Sequence, residues 1–349
     1  MEKNYSVLFA VLAALLFGIN APFSKLLINE LNPLFLAALL YLGAGIGMTV
    51  LTVLNKKRRL DSREARLTKE EMPYIILMIL LDIAAPIFLL IGISITNSST
   101  AALLGNFEIA ATSIIAMLFF KEAIGNRLWV AIGFISLASI LLTVDDITTI
   151  NLSLGSVFVL LSCVCWGFEN NCTRNLSIKD PVQIVIIKGF GSGLGSLVIA
   201  AIWGGLSGSL IYIVAAMMLG FVAYGLSIFF YVKAQRGLGA ARTSAYYAAA
   251  PFMGVVISWV VLREPVTVSF IIALAIMLLG TYLTLSEKHE HTHVHREVTH
   301  EHKHVHTDGH HLNHDHPAAA DEEHCHVHTH EAIEHKHDHL PDAHHRHMH

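Results

Sequence analysis

The sequence predicts an all-α integral membrane protein: ten transmembrane helices in two inverted five-helix repeats, followed by a disordered tail. Three observations predict it. The 349 residues are 54% hydrophobic and 14% charged, with a mean hydropathy of +0.57, whereas soluble domains carry about a quarter charged residues. Apolar runs near the roughly 20 residues needed to cross a bilayer recur ten times before residue 288. Features of the first five runs then return, in order, in the last five.

The runs are 6–28, 33–54, 73–95, 99–120, 127–144, 154–173, 182–203, 209–232, 240–262 and 267–286. The first is too long for a signal-peptide core and ends without a small-residue cleavage pattern, so it reads as a span. Connections are short except for 55–72, which carries Lys56, Lys57, Arg58, Arg59, Arg63, Arg66 and Lys69. Basic residues in short loops mark the cytoplasmic side. Odd-numbered spans then start inside, and both termini are cytoplasmic. Lys121, Arg127, Arg174, Lys179, Lys233, Arg236 and Arg242 agree, and the acidic turn Asp145–Asp146 falls outside.

The duplication is carried by paired motifs. Phe17-Gly18-Ile19-Asn20 is echoed by Trp166-Gly167-Phe168-Glu169, and Lys25 maps onto Arg174 at the same offset. The alanine-rich fourth run ends on Lys121–Glu122 and the ninth on Arg263–Glu264, with Ala250 where the first copy has Glu108. Five spans per copy is an odd number, so the second copy must sit upside down relative to the first. We expect repeats at 1–145 and 146–288, with the tail at 289–349.

Two carboxylates lie at mid-span, Asp82 in the third run and Glu108 in the fourth. A charge at that depth costs about 2.5–3.5 kcal/mol on insertion scales, so such a residue faces the bundle interior and is paired, protonated or hydrated. Either acid suits contact with a cationic or polar solute, or carriage of a coupling proton; an interhelical hydrogen bond is the plain alternative. Glu169 and Lys188 fall nearer the cytoplasmic ends, where they allow an inner salt bridge, although Lys188 also has the reach to snorkel to the headgroups. Asn20 and the Asn170–Asn171 pair add polar groups. Pro22, Pro86 and Pro251 each remove a backbone donor and can break a helix. Cys165, Glu169 and Cys172 share a helical face, where packing is favoured over a metal. With neither a Walker ending nor a preceding strand, Gly189 to Ser196 is no nucleotide loop, and any transport is secondary.

All 23 His fall in the last 61 residues, where charge also turns acidic, 12 Asp/Glu against 4 Lys/Arg. His291, His293 and His295 repeat as His324, His326 and His328, and His302, His304 and His306 as His335, His337 and His339. So polar a segment buries no core. Imidazole is the commonest metal ligand, and we expect these His to bind divalent Zn, Ni, Co or Cu, with no cofactor required elsewhere.

These features resemble the drug/metabolite transporter superfamily, specifically EamA-type ten-helix transporters, over residues 5 to about 286. The resemblance implies an inverted 5+5 fold and movement of small organic solutes, often outward. We therefore expect a non-enzymatic secondary exporter of small polar metabolites, its partners being the solute, the lipid bilayer and metal ions at the tail. No nucleic-acid partner is expected, and a homodimer stays open. A divalent-metal or chelate transporter that uses the tail as ion collector is the first alternative, and a membrane-anchored metal buffer or sensor the second. The resemblance leaves the tail unexplained.

Overall fold

The computed structural model describes residues 2–54, 67, 69–120, 126–146, 151–176, 179–234 and 246–285, together with 290–294, 298–304, 324–330 and 334–338 of the tail. Most of the basic 55–72 connection, the Lys121–Glu122 pair and the rest of the tail lie outside the described residues, as do the side chains of Arg174 and of the tail His. Within the described residues, helix occupies each of the ten predicted runs. They are α1 (Glu2–Gly18) with α2 (Asn20–Ile28), α3 (Pro33–Leu54), α4 (Met72–Ile95), α5 (Ser98–Leu104) with α6 (Phe107–Phe120), α7 (Asn126–Thr143), α8 (Leu154–Leu176), α9 (Pro181–Ile199), α10 (Leu210–Gly220), α11 (Ala250–Ile257) and α12 (Val268–Leu285). The eighth run continues helical from α10 to Ala234. Six of the runs are at least 18 residues long and apolar enough to cross a membrane, and shorter apolar helices supply others. The outer surface is apolar, with Leu80, Leu118, Phe119, Val198, Ile202 and Val260 all exposed. This is a multi-pass membrane protein.

Local chemistry sets the helix starts. At α9, the Asp180 carboxylate accepts a hydrogen bond from Val182 N at 2.9 Å, and Pro181 occupies the first position, where its missing N–H costs nothing. Below this start, Lys179 pairs with Glu71 at 3.1 Å, and Leu67 N donates to Gln183 Oε1 at 3.1 Å, which ties the end of the basic connection to the seventh span.

The two copies interleave. α3 packs on α9, α7 on α12 and α5 on α11, each helix against its own repeat equivalent. Other contacts come in matched pairs: α1 packs on α11 as α8 packs on α6, and α4 packs on α9 as α10 packs on α3. That pattern is what a two-fold axis in the membrane plane produces. At the α3–α9 seam the backbones meet, and a Cβ added to Gly189 would lie 2.4 Å from Gly45 N. The paired aromatic-Gly motifs serve the second kind of contact. A Cβ on Gly18 would lie 2.8 Å from Ala250 O, and one on Gly167 would lie 3.0 Å from Thr112 N. A side chain at Gly18 would push the backbone of α11 away, and one at Gly167 would crowd that of α6.

The prolines broke fewer helices than their chemistry allows. Pro86 sits inside the continuous α4, and the first span breaks at Ile19, just ahead of Pro22. The matched breaks lie in the fourth and ninth spans, at Gly105–Asn106 and Ala248–Ala249. The second of these precedes Pro251, which leaves the Tyr247 carbonyl without a following N–H donor. Gly105 faces Pro251, so the two breaks adjoin.

A β-bridge joins β1 (Val144–Asp146) to β2 (Asn151–Leu152) between the repeats. In the tail, where no regular structure is expected, the described residues form two antiparallel ladders. One pairs β3 (Glu290–Val294) with β6 (Glu334–Asp338), and the other pairs β4 (Val298–His304) with β5 (His324–His330). The x-His alternation has the two-residue period of a strand, so the segment can pair its backbone without burying a core.

Candidate functional site

Four helices bring charged groups together inside the bundle. Asp82, at mid-length in α4, is fully buried; Lys188 of α9 and Glu169 of α8 are 5% and 3% exposed. Lys188 Nζ lies 2.8 Å from Glu169 Oε1 and 3.2 Å from Asp82 Oδ2. Lys188 therefore does not snorkel. It turns inward, because two carboxylates within hydrogen-bond reach repay its desolvation better than distant headgroups would. Tyr41 of α3 donates to Asp82 Oδ1 at 2.9 Å, and Thr173 donates to Glu169 Oε1.

Glu108 stands beside this triad and not within it. It opens α6 just after the Gly105–Asn106 break and keeps some accessibility in spite of its central position. Asn170 Nδ2 donates to Glu108 Oε1 at 2.6 Å and lies 3.3 Å from Thr112 Oγ1. The neighbouring Asn171 donates to Thr112 O at 3.2 Å and Gly167 O at 2.8 Å, which pins α8 to α6. Asn106, at the break, is buried, and its Oδ1 has no hydrogen-bond partner. Three carboxyls thus share the region with one ammonium, so a bound proton or a cationic group would ease the charge balance.

On the other side of the bundle centre, Asn20 Nδ2 donates to the Tyr224 hydroxyl at 2.9 Å, and Ser24 donates to Asn20 Oδ1 at 3.1 Å. Rings line this region. Phe17 lies 6.3 Å from Trp166, 5.9 Å from Tyr224 and 5.6 Å from Tyr247 between centroids, and Tyr41 lies 5.0 Å from Tyr224. Of the five residues singled out in the sequence, Asp82, Glu169 and Lys188 meet directly, Glu108 stands beside them on Asn170, and Asn20 is linked through Tyr224, whose ring packs on Tyr41. The structure adds Tyr41, Tyr224, Thr112 and Asn106. A tyrosine in an apolar run reads as packing in sequence, so its hydroxyl gave no signal.

Beyond Ser24, two more charges act on helix ends. Lys25 Nζ donates to the carbonyls of Ile93 and Thr96, the latter at 2.6 Å, where α4 ends. Glu264 accepts from Ser98 N and Ser98 Oγ through Oε1 and from Ser99 N through Oε2, each at 2.8 Å, where α5 begins. Burial pushes the Glu264 carboxyl up, but the hydrogen bonds from Ser99 and Ser98 outweigh it and hold the group below the ordinary glutamate value of 4.5.

Among the residues whose side chains are described, no three His, Cys, Asp or Glu converge as a metal site. Cys163 and Cys172 are buried free thiols, and Cys163 Sγ packs 3.6 Å from Leu104 O.

Comparison with known proteins places the fold among transporters. The model of the EamA-like transporter family matches residues 4–144 and again 153–286. An uncharacterized transporter of Methanothermobacter thermautotrophicus is 26% identical over 299 residues, which is 81% of this chain and 87% of that one. The uncharacterized transporter YyaM of Bacillus subtilis is 21% identical over 240 residues, 62% of this chain and 74% of that one. A crystal structure at 14% identity superposes with a TM-score of 0.60 over 80% of this chain and 95% of its own length, a likeness of fold alone.

Proposed function

The chain belongs to the EamA-like transporter family, matched over both repeats, and on that premise we propose that it is a secondary exporter of small polar organic metabolites across the cytoplasmic membrane. The observation that carries this reading is the buried Asp82–Lys188–Glu169 triad with Glu108 beside it. A bundle needing only stability gains little from buried ions, since apolar residues of similar volume do as well or better. Ionisable groups inside spans mark solute or proton paths, and Glu108 directly follows the break in the fourth span, the kind of discontinuous helix that marks a transporter's binding site. In this reading Glu108 and Asn170 meet the solute, and the triad responds by exchanging partners or protons as access alternates. Both termini lie in the cytoplasm, and the tail binds divalent Zn, Ni, Co or Cu through its His-x-His runs.

Proteoliposome uptake tests this with the full chain and with a version ending at Lys288, using a panel of amino acids, amines and divalent metals. We expect an organic solute to move in both forms and to be lost with Glu108→Gln. Movement of metal alone, weakened by the truncation, would instead make the tail an ion collector for a metal path.

A further inference from the structure

The bundle end that carries the Thr96–Asn97 turn is held closed by Lys25 and Glu264, and we propose that these two residues form a releasable latch over the transport path. The proposal goes beyond the transport reading and does not depend on which solute is carried.

The turn joins α4 to α5 and therefore leaves helix carbonyls on one side and helix N–H groups on the other, both without intrahelical partners. Each set is met by a charge of the sign that suits it. Lys25 reaches the carbonyls of Ile93 and Thr96 from α2, and Glu264 reaches the amides of Ser98 and Ser99 from the end of the ninth span. Both charges come from outside the α4–α5 hairpin, and Glu264 comes from the opposite repeat. The hairpin is therefore fastened to two bodies that must separate if this end is to open. A third oxygen joins the contact, since the Ser98 hydroxyl also lies 2.9 Å from Ser258 Oγ on the ninth span.

The backbone beside Glu264 is strained. Arg263 has φ 52° and ψ 39°, the left-handed conformation, and among the described residues it is the one non-glycine residue with positive φ. An unstrained ending was open to a glycine there. The left-handed turn points the chain back so that Glu264 meets α5, and its strain relaxes when that contact is given up. Beneath the latch the three spans are in close contact. A Cβ on Gly254 would lie 2.9 Å from Ala102 Cβ and 3.0 Å from Gly18 O, so α1, α5 and α11 touch with no room for a side chain between them. On α2 itself, Ser24, the residue before Lys25, and Asn20, one turn earlier, are both buried. Basic-loop placement puts this end outside the cell.

The test needs no substrate. In the full-length protein, with Cys163, Cys165, Cys172 and Cys325 replaced by alanine, a cysteine at Ser24 is exposed to a membrane-impermeant maleimide in intact cells. We expect slow labelling in that parent and a rise of about tenfold with Glu264→Ala, the population shift expected from one charge-assisted hydrogen bond. Lys25→Met raises labelling in the same direction, and Glu264→Gln, which keeps an acceptor oxygen, gives a smaller rise. A second reporter, Ser192→Cys, sits fully buried against α4 and away from the latch. Labelling at Ser24 that ignores both Glu264→Ala and Lys25→Met overturns the latch. So does a parallel rise at Ser192, because it would make Glu264 a general cap whose loss loosens the whole bundle. A latch that behaves as expected in a protein that moves no solute would leave this inference standing and defeat the transport reading instead.

Discussion

Two charged clusters occupy this bundle, and they solve the cost of burial in opposite ways. In the triad of Asp82, Glu169 and Lys188, side chains neutralise one another across three helices. At the latch, Lys25 and Glu264 spend most of their hydrogen bonds on main-chain groups at the ends of α4 and α5. Charges that pair with each other are mutually dependent, so removing one strands the others. Charges that pair with backbone each hold a helix end directly, and removing one leaves the main-chain groups it met, here those of the buried Ser98 and Ser99 at the start of α5, without that partner. The first arrangement suits a site whose members change protonation or partner together; the second suits a contact made and broken as a unit.

The sharpest way to break that contrast is Lys188→Met. It leaves two carboxylates facing each other in a dry site, and we expect a loss of about 3–5 kcal/mol, seen as a large drop in thermal midpoint in detergent. Adding Asp82→Asn and Glu169→Gln to the same chain should restore most of it. A triple variant no more stable than the single one would mean that the charges were never balanced against each other.

Next in size is Glu264→Ala, which should cost about 1–2 kcal/mol, with no rescue from Lys25→Met. Additive losses confirm independent action, and a strong coupling energy would merge the two residues into one ion pair. The same carboxyl gives a pH test. Its folded-state value is depressed, so its contribution is complete above the ordinary glutamate value of 4.5 and fades as pH falls through the lower folded value. Acid should therefore raise Ser24→Cys labelling in the parent relative to the Glu264→Gln variant at the same pH, both measured in proteoliposomes across that range, the ratio cancelling the loss of thiolate that slows labelling in each. The smallest effect belongs to Tyr41→Phe, which removes one donor from Asp82. We expect about 1 kcal/mol and a change in the pH profile of transport, which a purely structural hydroxyl would not alter.

The contrast also explains how much could be read from sequence. Asp82 and Glu108 stand out because an apolar run makes any carboxylate conspicuous, and Glu169 with Lys188 suggests a pair by sign alone. The inversion of the second copy follows from the odd number of spans per copy and the returning Phe17-Gly18 and Trp166-Gly167 motifs, whereas the way the copies interleave did not show in the sequence. The partners of Lys25 and Glu264 were hidden for a physical reason: backbone groups have no letter in the sequence. Both residues were visible only as markers of the duplication, and their work at the α4–α5 turn shows only in the folded chain. The Gly105–Asn106 break was missed for a related reason, since no proline announces it. Tyr41 and Tyr224 count as apolar in any hydropathy pattern until the hydroxyl finds Asp82 or Asn20.

The seam of Gly45 against Gly189 has a mechanical meaning. Most helix pairs interlock through ridges of side chains that must lift out of their grooves before one helix can turn on the other. At this point the two copies meet on bare backbone, and one turn along the seam a single side chain, Leu42, seats against Gly193. A joint of that kind works as a bearing. It holds its two parts at a fixed distance while resisting rotation little, and it lies between repeat-equivalent helices, where any rocking of one copy against the other would have its pivot.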